Sequence, residues 1–310
     1  MRLIAAILVA AVCFAPATLS AKIFRYQGMC NASAAVALDA GRFVVADDDR
    51  NILMVYRRGE AEGREVPLSN LDAENSDIEG AARIGDLIYW IASHDKEDKD
   101  RRRLFATKIV NDGDGLTVEE LPWPPYKKLM RALLNEPKFD ALDLSEDTLD
   151  IEGLAATPEG HLLIGLRHPL NEENDAIIIP ISNPRAVVES GEQPRFGDAI
   201  AVKLGERGIR SIERIGNRYL IIAGPSERDA DTTKNFQLYS WNGMPGVDPR
   251  PLHFDSNAFG ELTPEAIFAL PGKDEVMILS DDGRVDVDGE ECKHAPREKR
   301  SFRAITKPMR

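Results

Sequence analysis

The chain has 310 residues, of which 43% are hydrophobic and 29% are charged, and its formal net charge at pH 7 is −13. This composition is typical of a globular protein and differs from that of a disordered or collagen-like chain. The acidic balance argues against a nucleic-acid partner, because counterion release from phosphates needs a basic surface. Length alone allows one large domain or two smaller ones.

The first 21 residues have the pattern of a secretory signal peptide. A positive charge near the start precedes an unbroken apolar run at residues 3–14, and small residues follow. Cleavage after Ala17 or after Ala21 fits this pattern. Later in the chain, no stretch reaches the roughly 18 apolar residues that a bilayer crossing requires. We therefore expect a periplasmic or secreted protein without a membrane span, in which residues 22–310 form a single domain.

Two cysteines remain after this segment, Cys30 and Cys292, one near each end of the chain. In an oxidising compartment such a pair is a candidate disulfide. The bond would require the two ends of the fold to meet. Two unrelated buried thiols are the alternative.

Five segments share one pattern, which is a short apolar run, a tight turn and a longer apolar run that ends in polar residues. Turns rich in Gly, Asn and Asp between β-branched runs predict hairpins. The longer runs are apolar at consecutive positions, as is typical of strands covered on both faces. The five predicted hairpins lie at residues 34–46, 81–92, 154–166, 211–223 and 266–279.

A third strand follows most of these hairpins, and antiparallel units repeated in this way predict an all-β fold, a β-propeller. Five blades are visible, and a sixth would have to lie in the irregular stretches. Residues 22–26 and 301–305 are expected to share the closing blade, which agrees with a bridge between Cys30 and Cys292. A β-sandwich is the alternative, but it does not account for the repetition.

One segment near residues 121–140 departs from the repeat and predicts a short helical insertion. Between Tyr126 and Asn135 the apolar residues follow helical spacing, and Pro137 ends the pattern. The helix would either cover a site as a lid or fill an irregular blade edge.

The wiring of the hairpins predicts where function lies. Residues before each first strand and after each second strand meet on one face of the ring, whereas the other face receives only turn residues. Acidic residues, with His94 and His168, follow the second strands. Before the first strands, a glutamate recurs at Glu79, Glu152, Glu213 and Glu265. We therefore expect an acidic channel mouth.

Carboxylates crowded into such a mouth must be protonated, paired with arginine or bound to a cation. Oxygen ligands from loops suit calcium, which accepts six to eight of them. The expected calcium ligands are Asp77, Glu79, Asp150, Glu152 and Glu265. Internal ion pairs are the alternative, with arginines at Arg83, Arg167 and Arg210. The run at residues 111–115 resembles a calcium loop but lacks its ligand spacing, which favours a surface turn.

His94 and His168 are candidates for a general acid or base near neutral pH, with loop histidines of no special role as the alternative. Arg167 and Arg210 are candidates for a bidentate grip on an anionic group such as phosphate. The sequence contains no Gly-x-Ser-x-Gly elbow, phosphate-binding glycine loop, His-Glu-x-x-His or Cys-x-x-Cys motif.

Residues 77–82 and 150–155 share an Asp-Ile-Glu-Gly pattern. With the repeats, this pattern resembles exported bacterial propellers of the phytase-like and esterase-like group and, more closely, a related family of unknown function. The phytase-like relatives imply calcium and hydrolysis of a phosphate ester at the channel mouth.

The leading hypothesis is a calcium-assisted hydrolase of a small phosphorylated or ester-bearing substrate. The carboxylates would hold the cation, Arg167 and Arg210 would orient the anion, and His168 or His94 would transfer the proton. The alternative is a non-catalytic propeller that binds a small anionic molecule or a protein. Both hypotheses place function at the same acidic mouth.

Overall fold

A computed structural model describes residues 22–95, 99–226, 236–252 and 259–309. In it, five four-stranded antiparallel sheets are arranged as the blades of a β-propeller, which confirms the predicted all-β fold with five blades. The predicted signal peptide lies outside the described residues. No helix within the described ranges is long and apolar enough to cross a bilayer.

The chain begins with β1 (Ile23–Gln27), which belongs to the last blade, and then forms two blades in sequence order, innermost strand first. Blade 1 consists of β2 (Ala32–Ala37), β3 (Arg42–Asp47), β4 (Ile52–Arg57) and β5 (Gly63–Pro67). Blade 2 consists of β6 (Ile78–Ile84), β7 (Leu87–Ala92), β8 (Leu104–Asn111) and β9 (Leu116–Glu120).

The next two blades follow the same order, with shorter outer strands. Blade 3 consists of β10 (Asp150–Ala156), β11 (Leu162–His168), β12 (Ala176–Ile181) and β13 (Ile200–Val202). Blade 4 consists of β14 (Gly208–Ile215), β15 (Arg218–Gly224), β16 (Gln237–Trp241) and β17 (Arg250–Pro251).

Blade 5 combines both ends of the chain and contains an inserted hairpin. Its inner strands are β18 (Pro264–Ala269) and β19 (Glu275–Ser280). A small hairpin of β20 (Asp286–Val287) and β21 (Glu290–Glu291) then precedes β22 (Ser301–Pro308). Strand β22 pairs with β19 on one side and with β1 on the other, so the N-terminal strand is the outermost strand of the last blade.

The predicted helical insertion is present as α1 (Leu129–Leu134), followed by a 3-10 helix that starts at Pro137. Leu129, Met130 and Leu133 are buried in the core shared by blades 2 and 3, so the helix fills the seam between these blades. A second helix, α2 (Pro184–Ser190), was not predicted, because its seven residues are too few for a clear helical period. Among the described residues, the 3-10 helices are Ser69–Leu71, Lys99–Arg101, Pro137–Leu142, Cys292–His294 and Arg297–Lys299.

The seam between blades 5 and 1 closes the ring, and aromatic side chains fill it. The rings of Tyr26, Phe43, Tyr56, Phe268 and Phe302 form a connected cluster in which neighbouring centroids lie 5.1–5.6 Å apart. Such pairs add stabilisation beyond the burial of their area. The seam therefore joins β1 and β22 to blade 1 by the packing of aromatic side chains.

A disulfide between Cys30 and Cys292 crosses the same seam, with the two Cα atoms 6.0 Å apart. It closes a loop with a sequence separation of 262 residues. The ends of the propeller are thus joined by a covalent bond, by the pairing of β1 with β22 and by the aromatic cluster.

We predict that Cys30→Ser/Cys292→Ser keeps the fold but lowers the free energy of unfolding, by at most about 5 kcal/mol on the loop-entropy argument. Chemical denaturation followed by circular dichroism measures the loss. Each single variant should lose about as much free energy of unfolding as the double variant, because either substitution removes the disulfide bond. An unchanged denaturation midpoint in all three would contradict the prediction.

Candidate functional site

Each of the five inner strands carries a β-bulge at the same level. In the pairing of every inner strand with its second strand, one residue of the inner strand is skipped. A bulge changes the direction of the side chain that it carries. The skipped residues all line one cavity of about 460 Å³, and we name them the bulge ring: Ser33, Glu79, Glu152, Arg210 and Glu265.

The bulge ring brings together three of the glutamates that the repeat pattern singled out. Glu213, the fourth, does not line the cavity, because Arg210 occupies the bulge position of blade 4 and Glu213 lies three residues further along β14. The carboxylate of Glu213 instead accepts a hydrogen bond from the backbone amide of Ala269, at 3.4 Å. The repeat in blade 4 is therefore shifted by three residues from the predicted alignment.

One half of the cavity holds carboxylates and guanidinium groups in alternation. Nη1 of Arg167 donates to Oε1 of Glu152 at 2.9 Å and lies 3.5 Å from Oδ2 of Asp150. Nε of Arg210 is 2.8 Å from Oε2 of Glu152 and donates to Oε2 of Glu265 at 2.9 Å. Nη2 of Arg210 also binds Glu265. These five side chains form an ion-pair chain, and each residue is at most 8% exposed.

The charges within this ion-pair chain stabilise one another. Burial raises the pKa of Glu152, whereas the guanidinium groups of Arg210 and Arg167 lower it. Burial opposes the charge on Arg210, but Glu152 and Glu265 together hold its pKa above the ordinary value. The central arginines are therefore counter-charges to buried glutamates.

The other half of the cavity has carboxylates with fewer counter-charges. Oxygen atoms of Asp48, Asp77 and Glu79 all lie within 4.8 Å of one another, and we call these residues the carboxylate cluster. Asp77 accepts a hydrogen bond from Nη1 of Arg101 at 2.8 Å. Oδ1 of Asp48 is buried and has no hydrogen-bond partner among the described residues.

Burial and mutual repulsion make it unfavourable for the carboxyls in this half of the cavity to ionise when no cation is bound. Burial raises the pKa of Asp48 well above its usual range, and the charge of Asp281 raises it further. The pKa of Glu79 is raised in the same way, by burial and then by Asp77. Burial and the charge of Glu265 raise the pKa of Asp281 to about 7. A bound cation would relieve this repulsion, and the all-oxygen donor set fits calcium.

Neither predicted catalytic histidine lines the cavity. His94 is completely buried, its Nδ1 lies 2.7 Å from the carbonyl oxygen of Ala92, and burial lowers its pKa to about 4. His168 is the last residue of β11 and lies opposite Asp150 in the sheet, while Arg167 beside it lines the cavity. The end of a strand sets the height of a residue in the ring but does not set the direction of its side chain.

Several residues of the cavity were not assigned from the sequence. Asp48 and Asp281 lie in the acidic runs after β3 and β19, where the hairpin wiring predicted the mouth. Arg101 comes from a charged run that carried no motif, and Arg284 follows β19 on the rim. Arg303 also lines the cavity, where its guanidinium binds Asp282 through two contacts of 2.8 Å. Only the two aspartates had a signal in the sequence.

The run at residues 111–115 forms a surface turn, as expected. Arg42 and Arg57 donate to the carbonyl oxygen of Asp114, and Arg64 forms an ion pair with Asp112. Arginines of blade 1 therefore bind this turn of blade 2.

Residues 124–274 match a family described as "Protein of unknown function (DUF3616)". No curated protein matches the chain. The exo-β-1,3-galactanase of Phanerochaete chrysosporium has a similar structure, with a TM-score of 0.51 and 9% identity over 91% of this chain and 61% of that one. At this identity the likeness concerns the fold alone.

Two further solved structures align over nearly their whole length. For the glutaminyl cyclase of Myxococcus xanthus the TM-score is 0.47 and the identity 13%, over 93% of this chain and 97% of that one. For the PQQ-bound aldose sugar dehydrogenase of Streptomyces coelicolor the TM-score is 0.46 and the identity 10%, over 93% of this chain and 99% of that one. The family match covers only part of the β-propeller, residues 124–274.

We predict that the cation-free protein becomes less stable as the pH rises from about 5 to about 8. The pKa values of Asp48, Glu79 and Asp281 are raised in the folded state. Their protonated forms therefore stabilise the fold at low pH, and this contribution is lost as the pH rises through the folded-state pKa, about 7 for Asp281.

Chemical denaturation in EDTA across this pH range tests the prediction. Asp281→Asn should weaken the dependence, because one of the carboxyls with a raised pKa no longer titrates. Glu119→Gln, which changes an exposed carboxylate on β9, should leave it unchanged. A denaturation midpoint that rises with pH would contradict the prediction.

Proposed function

We propose that the protein is a calcium-dependent hydrolase that acts at the mouth of the propeller channel on a small phosphorylated or ester-bearing substrate. The carboxylate cluster of Asp48, Asp77 and Glu79 carries the proposal, since its oxygen atoms lie within 4.8 Å of one another. The buried Oδ1 of Asp48, which has no hydrogen-bond partner in the described part of the chain, fits a ligand position. When bound, calcium would polarise the scissile group and lower the pKa of an attacking water.

The calcium ligands expected from the sequence divide into two groups in this proposal. Asp77 and Glu79 belong to the carboxylate cluster, where Asp48 joins them. Asp150, Glu152 and Glu265 are bound by arginine in the ion-pair chain. We assign these three to a buried wall that holds the opposite side of the mouth in place.

Orientation of the anionic group is assigned to Arg284. Breaking a buried ion pair by removing one partner costs about 3–5 kcal/mol, so Arg167 and Arg210 are held as counter-charges. Arg284 is exposed on the rim of the same cavity, and no ion pair to it occurs among residues of the described ranges. A guanidinium in this state is available to a phosphate or carboxylate oxygen.

Proton transfer is assigned to Asp281. This carboxyl lines the cavity, and its pKa of about 7 is near the value at which a general acid or base works best at neutral pH. His94, which is buried and has a lowered pKa, and His168 lie outside the cavity lining. A carboxyl therefore takes the role that the sequence suggested for an imidazole.

A second candidate function is non-catalytic binding of a ligand or protein at the same mouth. The observation that favours it is the ion-pair chain, in which Arg167 and Arg210 already bind Glu152 and Glu265. In that case the buried charges at the axis serve the structure, and calcium at the carboxylate cluster would be structural.

We predict that the wild-type protein binds calcium and that Glu79→Gln weakens binding at least about tenfold, because one charged oxygen ligand is lost. In EDTA the variant should be as stable as the wild type or more stable, because one of the repelling carboxylates is gone. Isothermal titration calorimetry and thermal denaturation measure the two effects. Glu119→Gln is the matched control and should change neither.

For this test the wild-type protein is purified without chelator, and its bound metal is removed before the titration. If this protein does not bind added calcium, the proposal is refuted. A large loss of stability in Glu79→Gln without calcium would instead indicate a structural role for this glutamate.

We further predict calcium-dependent turnover in a panel of phosphate monoesters and carboxylic esters, with activity lost in EGTA and restored by calcium. For a phosphorylated substrate, Arg284→Met should lower kcat/KM about tenfold, the value of one charged hydrogen bond, and leave calcium affinity unchanged. Calcium binding without turnover of any ester would support the non-catalytic alternative.

A further inference from the structure

Two of the cavity carboxylates come from opposite ends of the propeller's chain. Asp48 follows β3 in blade 1, whereas Asp281 follows β19 in blade 5. Both line one cavity, and when both carboxyls are ionised their repulsion drives the loops that carry them apart. Some other part of the chain must hold these loops together.

The segment Cys30–Asn31, between β1 and β2, lies between these loops and binds both of them through its backbone. The carbonyl oxygen of Asn31 accepts a hydrogen bond from the amide of Asp48 at 3.3 Å. The carbonyl oxygen of Cys30 accepts one from the amide of Asp282 at 2.9 Å. Asn31 also forms an isolated antiparallel β-bridge with Asp281.

The side chain of Asn31 repeats this double contact and is only 7% exposed. Its Nδ2 donates to Oδ2 of Asp49 at 3.0 Å, next to Asp48. On the other side it lies against Gly283, where an added Cβ would overlap with the Asn31 amide group. Gly283 is required at this position because the asparagine approaches its backbone so closely.

The disulfide fixes the segment to the blade 5 loop. Cys30 is bonded to Cys292, whose amide donates to the carbonyl oxygen of Val285 at 2.8 Å. The next amide along the chain, that of Lys293, donates to the carbonyl oxygen of Gly283 at 3.1 Å. The bond therefore joins Asn31 to the same short loop that carries Asp281.

We propose that Asn31 is a positioning residue of the cation site, and that the Cys30–Cys292 bond serves this site as well as the fold by clamping the Asp48 loop to the Asp281 loop. This inference rests on the proposed calcium site. Partners one shell outside the ligands of a metal orient those ligands, and their loss commonly reduces metal affinity by about 10–100-fold.

Calcium titration by calorimetry, on the full-length protein and well below its melting temperature, tests the inference. We expect Asn31→Ala to weaken calcium binding about tenfold or more while the circular dichroism spectrum is unchanged. Cys30→Ser/Cys292→Ser should weaken it as well. When Asn31→Ala is combined with the two cysteine substitutions, the fold-loss of calcium affinity should be smaller than the product of the two separate fold-losses. Both changes act through the same loops, so their effects are not independent.

Gly283→Ala provides a second test that does not remove any polar group. The overlap should displace the Asn31 side chain, loosen its hold on the Asp48 loop through Asp49 and so weaken calcium binding. In Asn31→Ala/Gly283→Ala the overlap is gone, so the double variant should bind calcium no more weakly than Asn31→Ala alone.

Val187→Ala is the control for general destabilisation. Val187 is buried in α2 of blade 3, and its truncation should lower the melting temperature without changing calcium affinity. Wild-type affinity in both Asn31→Ala and Gly283→Ala would overturn the inference and leave the proposed calcium site intact. Failure of the wild-type protein to bind calcium would overturn both.

Discussion

Repulsion between buried carboxylates at the axis of a closed ring is the constraint on which the rest of the site depends. Five inner strands bring their bulged residues to one cavity, and three of these residues are glutamates. On one side Arg167 and Arg210 compensate the charge within the protein. On the other side Asp48 and Glu79 have fewer counter-charges, and this half carries the proposed cation site. The two halves of the cavity therefore differ in how far the protein's own arginines compensate the negative charge.

The bulge ring is regular in its backbone but not in its side chains, and this difference bears on where the proposed cation site lies. Blade 1 has Ser33 at its bulge, a short side chain whose hydroxyl donates to the carbonyl oxygen of Ile78. Asp48, from the loop after the neighbouring strand, lines the same part of the cavity. A small residue in the bulge ring thus leaves room for a carboxylate that is delivered by a loop.

Much of the fold was predictable because each blade is marked by a tight turn between apolar runs. The predicted second strands agree closely with β3, β7, β11, β15 and β19. The inner strands begin earlier than predicted, since a bulge interrupts the alternation on which a strand assignment depends. The same effect hid the equivalence of Arg210 with Glu152, and it placed Glu213 at the mouth in error. The side-chain directions of His94 and His168 depend on local bends that have no sequence signal.

The pairing of β1 with β22 has a consequence for the order of events during synthesis. Strand β1 has no partner in its own blade until β22 has been made. Blades 1 to 4 can form as the ribosome proceeds, but the seam that brings Asp48 towards Asp281 cannot. A product that stops before β22 can therefore form the carboxylate cluster of Asp48, Asp77 and Glu79, but not the seam that holds the Asp48 loop beside the Asp281 loop. In this order of events, closure of the ring is the step that completes the cavity.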